Sequence, residues 1–138
     1  MIRILTILGL ALLLAACQPP AAPTAAAGGN CLQYAPGMVT LSGAASTRMI
    51  EAEGKSSRNA LLLTLDQPIC IATNAARAAE YPAVESITTL ELVPQSDHAD
   101  AYSLAGQRVT AHGGLVPMSG DGVAAPVGLV LTTLKSSQ

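Results

Sequence analysis

The sequence predicts an all-β domain, a small five-stranded closed barrel with one or two short helices, behind a cleaved leader and a flexible tether. Three observations predict it. Five stretches between residues 38 and 134 alternate apolar and polar side chains with a period of two. A helix-forming segment, 96–105, comes just before the fourth stretch. The pair Gly113-Gly114 interrupts that fourth stretch, where a strand that bulges or bends needs residues without a Cβ.

The chain opens Met1-Ile2-Arg3, with one positive charge, and residues 4–14 are almost wholly apolar. A charged start, an apolar run of about 7–15 residues and small residues before a cut site describe a secretory signal peptide. The run is too short for a membrane-spanning helix, which needs about 20 apolar residues. Leu14-Ala15-Ala16-Cys17 closely resembles the lipobox of bacterial lipoproteins. That resemblance implies that residues 1–16 are removed and that Cys17 takes a diacylglyceryl group, with acylation of the new amine. Each buried methylene adds ~0.8 kcal/mol, so two or three chains would anchor almost permanently. Gln18 stands where lipoproteins kept at the inner membrane often carry Asp. For a Gram-negative host this implies an outer-membrane anchor facing the periplasm. An ordinary secreted protein with a chance cysteine is the alternative.

Residues 17–30 form the lipidated cysteine and tether. QPPAAPTAAAGGN at 18–30 holds no charge and no large side chain. It cannot bury enough apolar surface to offset its ordering entropy. Fully extended, it would reach about 40 Å at ~3.3 Å per residue.

Residues 31–138 are long enough for one domain. After the leader there are six basic against nine acidic residues, with no basic run. The aromatic residues are Tyr34, Tyr81 and Tyr102, so the core has to be built from Leu, Val, Ile and Ala. A core without large rings is thin and calls for another source of stability. With Cys17 committed to lipid, Cys31 and Cys70 remain, and an oxidising compartment favours their disulfide over two free thiols or a metal pair. Closing a loop of that length would stabilise by about 4 kcal/mol in the chain-entropy view.

The strand signals run in order. Residues 38–43 set Val39 and Leu41 against Thr40 and Ser42. Residues 60–66 place Leu61, Leu63 and Leu65 on one face and Leu62, Thr64 and Asp66 on the other. Residues 86–93 put Leu90 and Leu92 opposite Thr89 and Glu91. Residues 107–118 alternate up to the glycine pair, and 127–134 are last. Between them, 74–80 reads as a short helix capped by Asn74 and ended before Tyr81-Pro82. Segment 96–105 reads as a second, with Ser96 as cap, Asp97 on the first-turn dipole and Gly106 as stop. Closure removes the exposed edges of an open sheet. The oligonucleotide/oligosaccharide-binding (OB) barrel is the expected architecture, with a small sandwich as the alternative.

Four stretches resemble an uncharacterised bacterial family, "domain of unknown function" 4431. They are CLQYAPGMVTLSG at 31–43, LLLTLDQPICI at 61–71, LELV at 90–93 and GQRVTAHGGL at 106–115. Leu65-Asp66-Gln67-Pro68-Ile69-Cys70 is the most specific motif. The resemblance covers most of the domain and implies the barrel and the cysteine pair, but no known activity. The chain departs from the family pattern in segment 44–59 and at 119–123, where a longer loop and histidines are expected.

Candidate sites are few. Asp97, His98 and Asp100 are the tightest cluster of ligand-type groups, and a solvated first helical turn explains them without a metal. His112 lies on the polar phase of the fourth strand, beside the glycine pair. Loops 44–59 and 117–126 are the expected contact surfaces, giving Arg48 and Asp121 as candidate binding residues beside His112. Ser119-Gly120-Asp121-Gly122 reads as a tight turn, too short for a calcium loop. Glu51 and Glu53 read as solvated, and no serine sits in a nucleophile pattern.

No catalytic residue, metal site or cofactor is therefore expected. Single-strand nucleic-acid binding needs a positive groove and aromatic platforms, and net negative charge with three tyrosines argues against it. The expectation is a lipid-anchored, non-catalytic periplasmic module contacting an envelope protein, a glycan or a small ligand. The alternatives are a metal-dependent or hydrolytic envelope enzyme using His112 or the Asp97–Asp100 cluster, and a purely structural envelope component.

Overall fold

The computed structural model describes residues 30–137; the leader, Cys17 and the tether up to residue 29 lie outside the described residues. Five strands, β1 (Met38–Ile50), β2 (Arg58–Ile71), β3 (Val84–Val93), β4 (Arg108–Pro117) and β5 (Val127–Ser136), close a ring in the order β1-β2-β3-β5-β4. All neighbours are antiparallel except β3 and β5. That parallel seam is three residue pairs long, from Glu91 with Gly128 to Val93 with Val130. With helical turns between β3 and β4, this is the OB-like barrel that the alternation predicts.

Alternation fills the interior. Leu61 and Leu63 of β2, Leu90 and Leu92 of β3, Leu115 of β4, and Leu129 and Leu131 of β5 are fully buried. Burying each such side chain contributes about 1.5–3 kcal/mol. Tyr34 supplies the one ring buried in this core. It meets Tyr81 edge-on, centroids 5.3 Å apart, and its hydroxyl donates to the Pro82 carbonyl at 2.9 Å. Arg77 lies over the other part of this plug, 4.8 Å from the Tyr81 centroid. Burial raises the Tyr34 phenol above its ordinary pKa.

Two glycines allow the barrel to close. Gly43 pairs on both sides, with Leu65 of β2 and Val109 of β4, and a Cβ there would lie 2.1 Å from the Thr64 carbonyl oxygen. At Gly113 the β4–β5 register shifts, and a Cβ would lie 2.0 Å from the Val130 carbonyl oxygen. The predicted bulge at the glycine pair is therefore present. The second staple is covalent: Cys31 and Cys70 form a disulfide with Cα atoms 4.7 Å apart.

Two expectations need correction. Segment 44–59 is mostly strand, because β1 continues to Ile50 and β2 begins at Arg58. From Ser46 to Met49 all side chains of β1 are exposed, so the hairpin extends without an apolar alternation to announce it. The helical segments are both 3₁₀, Ala75–Arg77 and Ser96–Leu104. Asn74 caps the first through its side chain, as expected. Ser96 does not cap the second; Gln95 holds that position without a side-chain bond, and the segment kinks at His98. The kink accompanies a hydrogen bond between His98 Nε2 and the Thr132 carbonyl at 2.7 Å.

Candidate functional site

The β4–β5 loop is more than a hairpin connection. Three strands hold it against the outer face of the barrel. Arg48 of β1 donates from Nη2 to the Ala124 carbonyl at 2.5 Å. Arg58 of β2 donates from Nε and Nη2 to the Gly122 carbonyl at 3.2 and 2.7 Å. Glu91 of β3 accepts the Ala124 N–H on Oε2 at 2.9 Å, and its Oε1 lies 2.6 Å from Arg58 Nη1.

The ladder puts these groups on one face. Arg48 stands opposite Ala60, Ile50 opposite Arg58, and Leu62 opposite Glu91. Side chains of facing residues point the same way, and those two apart along a strand share a side. Leu62 and Ala60 lie on this outer face and are nonetheless buried, as is Ala125 of the loop. Leu62 was expected on the solvent phase of β2, and the folded-back loop explains its burial.

Glu91 is 3% exposed, an ionisable group that must be compensated where it sits. Burial alone would raise its pKa. The Arg58 hydrogen bond, the Ala124 N–H and the charges of Arg58 and Arg48 outweigh that burial and hold the carboxyl below its usual range. Its partner answers in kind: the hydrogen bond to Glu91 raises Arg58 above the ordinary arginine value.

Beside the latch runs a trough. One hollow of about 290 Å³ lies between residues 84–89 of β3 and 124–126 of the loop, with Arg48 at its rim. A second, of about 440 Å³, is lined by Glu80, Pro82, Pro117 and Met118, among others. Both include Val84 and Pro126, so they adjoin. Ser86, on the β3 wall, adopts φ 54°, a left-handed conformation uncommon outside glycine.

The expected binding residues separate into two places. The structure brings Arg48 to the loop that carries Asp121, and Asp121 itself is exposed at the turn. Segments 44–59 and 117–126 thus meet, with Gly122 against Ala52. His112 is elsewhere. It lies five residues before Pro117 on β4, about 16 Å along the strand. Its Nδ1 is 3.0 Å from the Thr40 hydroxyl, in a polar strip where Ser42, Thr110 and Ser137 are also joined by hydroxyl hydrogen bonds.

At the helical turn, His98 is committed to the Thr132 carbonyl, with Asp97 3.8 Å away and exposed. Among the described residues, no three His, Cys, Asp or Glu side chains converge as a metal site would need. Sequence reasoning missed Glu91 and Arg58 as a working pair. The available signal was a lone carboxylate between two core leucines, in Leu90-Glu91-Leu92.

Comparison with protein-family models, with curated proteins and with solved structures finds no match for this chain.

Proposed function

We propose that the protein is a lipid-anchored, non-catalytic interaction module of the bacterial cell envelope, and that it binds through the trough between β3 and the β4–β5 loop. The observation that carries the binding role is this trough, a concave surface with a guanidinium at its rim and a latched loop as one wall. Barrels with this strand order commonly bind between the β1–β2 and β4–β5 loops, across strands 2 and 3. Here the same two loops meet at Ala52 and Gly122. Fold-level likeness supplies only the location; the chemistry is that of these residues.

The anchor rests on Leu14-Ala15-Ala16-Cys17 behind an apolar run. A disulfide between Cys31 and Cys70 supports an exported, oxidised destination. The outer membrane, with the domain facing the periplasm, is the proposed address, from Gln18 after the lipid-bearing cysteine. We also infer common descent with the "domain of unknown function" 4431 family, supported by the Leu65–Cys70 motif.

Cross-linking in intact cells tests the module. A specific adduct is expected from the wild-type protein, and deletion of residues 119–123 is expected to abolish it. Recovery of no specific adduct, together with a silent deletion, would refute the reading.

A further inference from the structure

One wall of the trough is bare backbone. β3 begins at Val84, yet β5 pairs with it only from Glu91 onward. Along residues 84–90, the side of β3 facing away from β2 has no strand ladder. Among the described residues, no loop or turn backbone hydrogen bond reaches that stretch either. The chain's own loop does not complete the ladder: Pro126, which lines the same hollow, has no N–H to give.

An open strand edge displays N–H and C=O groups at regular spacing, a template that another extended chain can pair with. The free segment has definite ends. Ser86, with its positive φ and the register shift around it, breaks the edge on one side, and the β5 seam closes it on the other. Residues 87–90 remain, about 13 Å of edge, and on their other side β2 bulges between its pairings with Ile87 and Thr89.

We propose that this edge takes an extended peptide segment of a partner protein by strand addition, with an acidic side chain of the segment seated on Arg48. The inference rests on the interaction-module reading above and names its partner class. An apolar residue of the segment enters the adjoining hollow, against Pro82, Pro117 and Met118. Arg48 spends one donor on Ala124, and a guanidinium has five, so a carboxylate can still be held. No aromatic ring lines either hollow, which leaves no platform for a nucleobase. A row of unpaired backbone amides is matched in spacing by polypeptide.

The test uses the full-length protein purified in detergent, with a displayed library of random ten-residue peptides as the probe. Selected peptides are expected to alternate apolar or β-branched residues, to end in Asp or Glu, and to protect from exchange those amides of residues 87–90 that point away from β2. N-methylation of alternate peptide amides on one edge should cost roughly tenfold or more in affinity, and on the other edge little. Arg48→Glu, checked for a native circular-dichroism spectrum, should weaken acidic peptides about tenfold and favour their lysine counterparts.

Failure to select any peptide, binding away from β3, or indifference to N-methylation on both edges would overturn strand addition. Photoreactive residues at Thr88 and at Glu53, used in cells, separate this outcome from the broader reading. A specific protein adduct from Glu53 alone refutes strand addition and the trough as the contact, and leaves an interaction module standing. Adducts from neither refute both.

Discussion

Glu91 is a charged side chain buried on the outer face of β3, where it bonds the loop above it at Ala124 and the Arg58 that also holds that loop. Glu91→Gln keeps the shape but weakens the bonds to Arg58 and Ala124. It is expected to cost about 2 kcal/mol in urea unfolding and to speed amide exchange at Ala124. The figure is set below that of a fully buried pair because the Arg58 side chain is 43% exposed. The pH dependence follows from the lowered pKa. Unfolded, the carboxyl takes up its proton near the ordinary value of about 4.3, before the folded form does. Its contribution is therefore complete above that value and disappears as pH falls through the lower, folded one. Unfolding of Glu91→Gln as a function of pH should lack this part of the acid slope. The close approaches at Gly43 and Gly113 give a second prediction: either glycine replaced by alanine should lose about 3 kcal/mol, because backbone oxygens occupy the position of the new methyl. A thermal or denaturant midpoint close to wild type would show that the strands can yield there.

Among the elements, those built on a period of two were readable and those built on contact were not. Leu61 and Leu63, Leu90 and Leu92, and Leu129 and Leu131 announced β2, β3 and β5 because a leucine at every second position has one side to hide. The outer half of β1 carries Ser46, Thr47, Arg48 and Met49, all exposed, and is held by its ladder to β2. Nothing in such a run distinguishes a strand from a loop until the partner strand is known. The β4–β5 loop was likewise opaque, since its position depends on Arg48, Arg58 and Glu91, which come from three separate strands. Of the candidate binding residues, Arg48 and Asp121 lie on two segments that meet, while His112 joined a different strip. The disulfide was legible by elimination. Cys31→Ser with Cys70→Ser is expected to lower stability by about 4 kcal/mol, for a loop of sequence separation 39, read from denaturant unfolding against the oxidised protein.

For the whole molecule, the prediction concerns where it resides. Palmitate labelling should vanish in Cys17→Ser, and the protein should move from the membrane to the soluble fraction; persistent labelling or membrane retention would place the attachment elsewhere. The disulfide then acquires a second meaning. Cys31 is joined to Cys70, and beside it Leu32 donates its N–H to the Cys70 carbonyl and accepts from Ala72. Traction arriving along the preceding chain is thus delivered covalently into the end of β2 before it reaches β1. While the sulfur bond holds, the load enters the β2 ladders; once reduced, the same pull would bear on the Leu32 bridge, then on buried Tyr34 and the Ala35 N–H bond to Leu115, and then on β1. Pulled from its front, the domain would resist when oxidised and unravel from that end when reduced.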